Sequence, residues 1–482
     1  MEQVTSDVNL EKLLNELKNT EEVNQFKRIL QNLFIHCINL DINQKDISEK
    51  NIEKSIKLIR SLEKISIYLF SEYNNSLKNY DNETKKKAME VTALVSDKIG
   101  DYLKHVNEKE LDSLNIEKIF IKQLKFYWKS SIAYTLGENA PNSIVIAKKL
   151  RNVLLELKEN HTIAKDRNDL FTFSFYLLSR QLISNIEDYI EDPALIDVFN
   201  NLRKFINSGE ERFVDDLYSI LDEQINKYLE LFETNYYWHL RYLKLCIGKI
   251  INNSAWNNLK GVFSKSYIQQ LIKSRPPVIE LWPNQLEIIN NEDGFLRNDT
   301  IKRTLVNFPT SGGKSLLAEF AIVKELENDI TKKCFYIVPT NALVYEVTKR
   351  LRERFRRLGY NVSSSVNGYE PDLVNGNYFE EHIIVTTPEK LDMIIKNNLS
   401  EDILSDTSLI IFDEFQKIQD RNRGWIIEGS IVFLINHQIY KDIKLMFLSA
   451  IIDNGPLILN WVDDHNGSNS NYVPNSWRPT TK

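Results

Sequence analysis

The chain has 482 residues, of which 42% are hydrophobic and 27% are charged, and its formal net charge is −6. This composition is typical of a globular protein, and the charge gives no general attraction to nucleic acid or to an anionic membrane. Any contact with nucleic acid therefore requires a local basic surface. The three cysteines, Cys37, Cys246 and Cys334, are widely spaced, which predicts a reducing compartment and no disulfide framework.

The sequence does not predict a membrane or secreted protein. The N-terminal stretch is acidic and amphipathic, unlike a signal peptide. No apolar run approaches the roughly 20 residues that cross a bilayer. The histidines do not lie at ligand spacing from cysteines or carboxylates, so we predict no structural zinc. We therefore expect a cytoplasmic protein without membrane contact.

Residues 1–270 are predicted to form an all-helical region. Only Pro141 and Pro193 precede residue 276, so few helix breakers interrupt this part of the chain. Apolar residues recur at helical spacing in three stretches, 8–19, 51–70 and 211–232. Basic and acidic residues are nearly balanced in this region, which favours a scaffold that docks a protein partner over a nucleic-acid surface.

The most aromatic stretch is 235–246, NYYWHLRYLKLC. Aromatic side chains at helical spacing are typical of a buried seam between helices. The alternative is a platform on which nucleic-acid bases stack. The spacing favours the buried seam.

From residue 300 short apolar runs alternate with amphipathic helices. The runs predicted as strands lie at 303–308, 334–339, 382–387, 408–414 and 443–450. This alternation predicts a parallel, doubly wound sheet, with ligands at the carboxyl ends of its strands. The predicted fold class is therefore all-α followed by α/β, with the α/β domain over 271–472.

The stretch 308–315, FPTSGGKS, fits the second half of a phosphate-binding loop, although Phe308 occupies the place of the first glycine. Backbone N–H groups at a helix N-terminus suit phosphate, Lys314 would contact the β- and γ-phosphates of ATP, and Ser315 would bind Mg²⁺. The alternative is a glycine turn before a solvated lysine. The predicted ATP-binding residues of the loop are Pro309, Thr310, Ser311, Gly312, Gly313, Lys314 and Ser315.

Two acidic residues, Asp413 and Glu414, follow a strongly apolar predicted strand. In a parallel sheet they would reach the same edge as the phosphate-binding loop. Asp413 would hold Mg²⁺ and Glu414 would orient and deprotonate the attacking water, so Lys314, Asp413 and Glu414 are the predicted catalytic residues. The alternative is a surface pair that caps the next helix.

Taken in order, these segments resemble the first motor domain of superfamily 2 DExD/H helicases of the Ski2-like branch. The segments that carry the resemblance are LWPNQLEII (281–289), FPTSGGKS, YIVPTNALVYEVTKRL (336–351), VTTPEKLDMII (385–395), DEFQ (413–416), KIQDRNRG (417–424) and LSAI (448–451). The resemblance implies a RecA-like fold and an ATP-dependent helicase. It also implies that Gln285 reads the adenine edge and that Trp282 packs near the base.

The resemblance also assigns a coupling role to Gln416, Ser449 and Ala450. Gln416 stands where His or Asp is usual, and Ile451 replaces the threonine of the Ser-Ala-Thr motif. Hydrolysis is expected to survive these departures, but its coupling to strand movement is expected to differ from the family norm. The alternative function is an ATP-gated sensor that clamps nucleic acid or a partner without unwinding.

A basic run at 349–357 is predicted to contact phosphates or, alternatively, to be a solvated helix face balanced by acids. The resemblance implies further phosphate contacts at the ends of two strands and after the acidic pair. The predicted nucleic-acid-binding residues are Thr340, Asn341, Arg350, Thr387, Pro388 and Arg423. Such contacts read the backbone and not the bases. The expected nucleic acid is DNA rather than RNA, a choice that the sequence itself does not determine.

A motor of this family has two RecA-like domains, and residues 473–482 resemble the start of the linker to the second one. We therefore expect the second domain to be absent from this chain, which alone would bind ATP weakly and would not unwind. Hachiman-type bacterial defence systems use helicases with N-terminal extensions joined to a nuclease. A nuclease is accordingly one expected partner of the helical region.

Overall fold

A computed structural model describes most of the chain beyond residue 80. The described residues are 81–107, 113–160, 165–309, 312–365, 381–396, 404–450, 452–463, 469–475 and 477, with seven positions between 64 and 73. The helix predicted at 8–19 and most of the one at 51–70 lie outside them. The chain divides into two compact units, one ending at Ile251 and the other spanning Asn252–Pro479.

Every regular element described before Asn252 is a helix, as predicted. The α-helices are α1 (Asn82–Asn107), α2 (Ser113–Leu136), α3 (Ala140–Asn160), α4 (Lys165–Leu178), α5 (Pro193–Ser208), α6 (Arg212–Glu230) and α7 (Thr234–Asn252). None of the described helices has the length and apolarity needed to cross a membrane.

Local sequence fixes the ends of these helices, as α5 shows. The Asp192 side chain accepts hydrogen bonds from the N–H groups of Ala194 and Leu195 at 2.9 and 3.1 Å. Pro193 occupies the first turn, where no N–H is needed, and Gly209 ends the helix in the left-handed conformation at φ 72°. These signals explain why the helix begins and ends where it does.

The aromatic stretch 235–246 lies in α7 and buries Leu240, Tyr242, Leu243 and Cys246, which agrees with the favoured prediction of a seam, whereas Trp238 is 40% exposed. Tyr242 is buried and stacks on Phe70 with ring centroids 4.1 Å apart. His239 packs on Trp128 at 4.0 Å. The stacking partners of these rings are thus other side chains of the same unit.

The second unit is an α/β structure. Its helices are α8 (Ala255–Leu259), α9 (Lys265–Lys273), α10 (Pro283–Ile289), α11 (Lys314–Asn328), α12 (Asn341–Phe355), α13 (Pro388–Lys396), α14 (Gly424–Asn436) and α15 (Gly455–Asp463). Its strands are β1 (Ile301–Asn307), β2 (Lys333–Ile337), β3 (Val362–Ser365), β4 (Ile383–Thr386), β5 (Thr407–Phe412), β6 (Lys444–Ser449) and β7 (Asn469–Pro474).

The seven strands form one parallel sheet in the order β3-β4-β2-β5-β6-β1-β7. The five predicted strands are confirmed as β1, β2, β4, β5 and β6. The two edge strands, β3 and β7, were not predicted. The fold class, a helical region followed by a parallel α/β domain, is confirmed.

Strand register places the predicted motifs along one edge of this sheet. Asn307 at the end of β1 pairs with Ser449 at the end of β6, and Phe412 at the end of β5 pairs with Phe447. β2, β4 and β5 are almost continuously buried, because helices cover both faces of the sheet. The loops that follow these strands therefore share one edge.

Candidate nucleotide site

The phosphate-binding loop begins at a buried Phe308. Its backbone N–H donates to the Ser449 carbonyl at 3.0 Å, and its side chain is fully buried. Phe308 thus continues the contact between β1 and β6 and anchors the loop in the core. A glycine is not needed at this position, because the tight turn is made by later residues. Thr310 and Ser311 lie outside the described residues.

Gly313 immediately precedes α11 and has a left-handed backbone, with φ 85°. A Cβ at this position would lie 2.3 Å from Gln285 Nε2. Both the backbone angle and the space therefore require glycine. The first N–H groups of α11, those of Lys314 and Ser315, have no intrahelical acceptor and suit an anion.

Helix α10 packs its polar side chains on this loop. Asn284 Nδ2 donates to the Gly312 carbonyl at 2.6 Å. Gln285 Oε1 accepts from the Trp282 N–H at 2.9 Å, and the Gln285 side chain is buried. Trp282 lies against Trp477, with ring centroids 5.3 Å apart. The structure thus brings the two predicted adenine-binding residues, Trp282 and Gln285, beside the loop.

The Lys314 ammonium is buried inside the loop. Its Nζ donates to the carbonyls of Phe308 and Pro309 at 2.9 and 3.3 Å. Burial lowers the pKa of Lys314, while the nearby charges of Glu414 and Asp413 oppose the shift. An ammonium has three donors, so it can donate to a phosphate in addition to these two carbonyls.

The acidic pair lies at the end of β5, within electrostatic reach of Lys314. Asp413 Oδ2 accepts from the Tyr336 hydroxyl at 3.0 Å, and Oδ1 accepts from the Glu414 N–H at 2.9 Å. Burial raises the pKa of Asp413, whereas these two hydrogen bonds lower it. Glu414 has a left-handed backbone, with φ 53°, which redirects the chain directly after the strand.

Gln416 connects the acidic pair to the end of β6. Its Nε2 donates to Glu414 Oε2. Its Oε1 accepts from Ser449 Oγ at 2.9 Å and from the Ala450 N–H at 3.4 Å. The amide therefore joins the three residues predicted to couple hydrolysis to movement. Ile451 lies outside the described residues.

The predicted phosphate-binding positions cluster at two helix N-termini. Thr340 caps α12 by accepting from the Leu343 N–H, and Asn341 is the first residue of that helix. Thr387 directly precedes α13, and Pro388 is the first residue of that helix. Because β2 and β4 pair, with Ile337 opposite Thr386, the two helix starts lie side by side. This arrangement suits successive phosphates of one strand.

The two predicted arginines have different environments. Arg423 Nε lies 2.6 Å from Glu389 Oε1, so it ties α13 to the segment after the acidic pair, and both side chains stay partly exposed. Arg350 instead faces the fully buried Glu319, with Nε 3.7 Å from Oε1. Two of its guanidinium nitrogens are buried. A phosphate contact by Arg350, as predicted from the basic run, is not favoured by this placement.

Sequence reasoning missed Asn284, Tyr336 and Asn307. Asn307 Nδ2 donates to the Ile452 carbonyl at 2.8 Å and to the Tyr472 hydroxyl at 3.2 Å, which joins β1 to β7. Asn284 directly precedes Gln285, and Tyr336 is the penultimate residue of β2. The sequence offered one indication of their role, which is that they lie close to residues or strand ends that were predicted to bind the ligand.

The residues present fit a magnesium ion bound with a nucleotide. Mg²⁺ prefers one or two carboxylates together with phosphates and water. Asp413 supplies a carboxylate whose two oxygens each accept one hydrogen bond, which leaves lone pairs for a metal or its water. Ser315 lies in the first turn of α11, at the same edge of the sheet. Among the described residues there is no cluster of three or more His, Cys, Asp or Glu side chains that could hold a metal by themselves.

Comparison with known proteins finds relatives among helicases. The family model for DEAD/DEAH box helicases matches residues 282–456. The ATP-dependent DNA helicase Hel308 of Methanocaldococcus jannaschii is 30% identical over 206 residues, which cover 42% of this chain and 16% of that protein. The Hachiman protein HamB of Bacillus cereus is 25% identical over 393 residues, which cover 75% of this chain and 32% of that protein. The solved structure of helicase MrfA bound to DNA aligns with a TM-score of 0.37 at 17% identity over 45% of this chain and 30% of that one.

The second unit of this chain is therefore a DEAD/DEAH-box helicase domain of superfamily 2, the class whose members use ATP. It is similar to the Ski2-like helicase Hel308, and it resembles HamB over a longer part of the chain. The chain spans less than one third of the length of Hel308 and of HamB.

Proposed function

We propose that this chain binds and hydrolyses ATP with Mg²⁺ and uses that reaction to move on a nucleic-acid strand. The observation that carries the proposal is the convergence of Lys314, Asp413 and Glu414 at one sheet edge, where both carboxylates act on the lysine charge. A structural lysine at a glycine turn would not require two acids opposite it. The same convergence is what phosphoryl transfer to water needs.

Each residue has a defined role in this reaction. Lys314 and the first N–H groups of α11 hold the β- and γ-phosphates and stabilise the charge that develops on them. Glu414 accepts a proton from water as the water oxygen bonds to the γ-phosphorus, and the bridging oxygen leaves with ADP. Mg²⁺, held by Asp413 and Ser315, would neutralise phosphate charge. The Gln416 amide orients Glu414.

The nucleic acid is proposed to lie along the N-termini of α12 and α13. Thr340 and Asn341 would bind one phosphate, and Thr387 and Pro388 the next, with Arg423 nearby. These are backbone contacts, so binding should depend on salt more than on sequence. We favour DNA over RNA because several relatives of this chain are ATP-dependent DNA helicases.

The rival function, an ATP-gated sensor without unwinding, rested on Gln416 and Ile451. Gln416 contacts both Glu414 and Ser449, which supports a coupling route through a glutamine at this position. This observation favours a function as a motor over a function as a sensor.

We further propose that the helical unit docks a protein partner. The first candidate is a nuclease of a defence complex, given the similarity to HamB. We also propose that the protein acts in the cytoplasm.

The test begins with nucleotide binding. Lys314→Ala should weaken binding of a fluorescent ATP analogue at least about tenfold, because it removes a buried charge from the phosphate site. The matched control is Lys324→Gln, which removes a lysine from the same helix, and it should bind normally. Equal affinity of Lys314→Ala and native protein contradicts the proposal.

Hydrolysis and strand preference are tested separately. Glu414→Gln should bind ATP normally but release phosphate at least about a hundredfold more slowly, because it lacks the base. Single-stranded DNA and RNA of one sequence are then compared by fluorescence anisotropy over a range of salt. Binding that does not respond to salt would exclude the proposed phosphate track.

A further inference from the structure

The Asp413 carboxylate is held by donors on both of its oxygens. One donor is the Glu414 backbone, and the other is the hydroxyl of Tyr336 on the neighbouring strand β2. Tyr336 is fully buried and pairs with Ile411 of β5. Two donors on opposite oxygens fix the plane of a carboxylate, and a rigid strand positions one of them.

A buried cluster of charged side chains lies within electrostatic reach of Tyr336. Glu319 of α11 is 2% exposed, and its Oε2 lies 3.0 Å from Arg354 Nε, while Arg350 approaches Oε1. Both arginines come from α12. Arg350 lies within electrostatic reach of both Tyr336 and Asp413.

We propose that Tyr336 is a positioning residue that holds the Asp413 carboxylate in the orientation needed to bind Mg²⁺ with the nucleotide. This rests on the proposed function, since it assigns the metal to Asp413. Tyr336 touches neither nucleotide nor water in this role. It acts through Asp413, as a buried partner that orients a metal-binding carboxylate.

The alternative is that Tyr336 only fills the core between β2 and α11. A phenylalanine would fill the same space, so Tyr336→Phe separates the two roles. Loss of such an orienting partner typically weakens metal affinity about 10–100-fold. Because Mg²⁺ is bound largely through water and phosphate, we expect the lower value, about tenfold.

The experiment measures binding and not turnover. The affinity of the 482-residue protein for a fluorescent, non-hydrolysable ATP analogue is followed as Mg²⁺ is raised from zero. Tyr336→Phe should need about tenfold more Mg²⁺ for half of the metal-dependent gain, with unchanged affinity in EDTA. The control is Tyr267→Phe, which removes a buried hydroxyl without a hydrogen-bond partner among the described residues and should match native protein.

A double-mutant cycle with Asp413→Asn completes the test. If Tyr336 acts through Asp413, Tyr336→Phe should change nothing further in the Asp413→Asn background, and this holds even if the single variant loses some stability. A Mg²⁺ requirement of Tyr336→Phe within twofold of native overturns the inference alone. Native protein that binds the analogue equally with and without Mg²⁺ overturns the metal role in the proposed function itself.

Discussion

Replacement of Gln416 by leucine tests how the acidic pair communicates with the end of β6. The side chain keeps its bulk and loses its amide. The change removes the hydrogen bond from Gln416 Nε2 to Glu414 Oε2 and those that Oε1 accepts from Ser449 Oγ and the Ala450 N–H. Glu414 would then keep its place in the chain but lose the side-chain contact that orients it.

The magnitude follows from these bonds. A hydrogen bond to a charged carboxylate is worth about 1.5–3 kcal/mol. If that energy serves to hold the base in its reactive orientation, the barrier rises by a similar amount, and kcat falls about 10–100-fold. The described hydrogen bonds of Gln416 go to Glu414, Ser449 and Ala450 and not to Lys314, so the KM for ATP should stay within about twofold of native.

The assay is phosphate release at saturating ATP, with and without single-stranded DNA. The control is Gln270→Leu, which removes a buried glutamine of α9 whose hydrogen bond among the described residues, to the Glu353 carbonyl, is long at 3.4 Å. Unchanged kcat in Gln416→Leu would refute the orienting role.

The variant Gln416→His introduces a residue that is usual in the family. It should alter the stimulation of ATP hydrolysis by DNA, and identical stimulation would refute the coupling hypothesis.

Three further predictions use glycines and a histidine. Gly313→Ala should weaken ATP-analogue binding more than about tenfold by titration, whereas Gly359→Ala, at φ 80° with nothing within 4 Å, should not. Gly424→Ala places a Cβ 2.0 Å from the Ile418 carbonyl oxygen and should cost about 1–3 kcal/mol in urea unfolding, while Gly429→Ala, in open space on the same helix, should be neutral or stabilising. Burial lowers the pKa of His239 to about 4. Between pH 6.5 and 4 the unfolded state therefore binds more protons than the folded state, and the free energy of unfolding decreases as the pH is lowered. His239→Phe should remove about 1–2 kcal/mol of the stability difference between pH 7.5 and 5.

The central strands were predictable and the edge strands were not, for one physical reason. β2, β4 and β5 are buried on both faces, so they read as apolar runs. β3 reads VSSS and β7 reads NSNYVP, and among the described strands each has one neighbour. Their pairing is set by the sheet and not by local pattern, and polar residues are tolerated at an edge.

At the site, residue identities could be predicted but their supports could not. The sequence predicted Lys314, Asp413 and Glu414 because each belongs to a short motif of recognisable chemistry, and because the motifs occur in a recognisable order along the chain. Asn284 and Tyr336 act through single contacts to Gly312 and Asp413. Such a contact joins residues 28 or 77 positions apart, and no local spacing encodes it.

Arg350 shows how a charge pattern misleads without its partner. Along the sequence it belongs to a basic run whose acidic counterpart is not adjacent. That counterpart, Glu319, lies on α11 and is fully buried, where an unpaired carboxylate would be costly. Arg350 and Arg354 of α12 therefore form ion pairs with Glu319 of α11, the helix that follows the phosphate-binding loop. The basic surface left for nucleic acid is smaller than the run indicates, and the helix N-termini at Thr340 and Thr387 carry more of the proposed track.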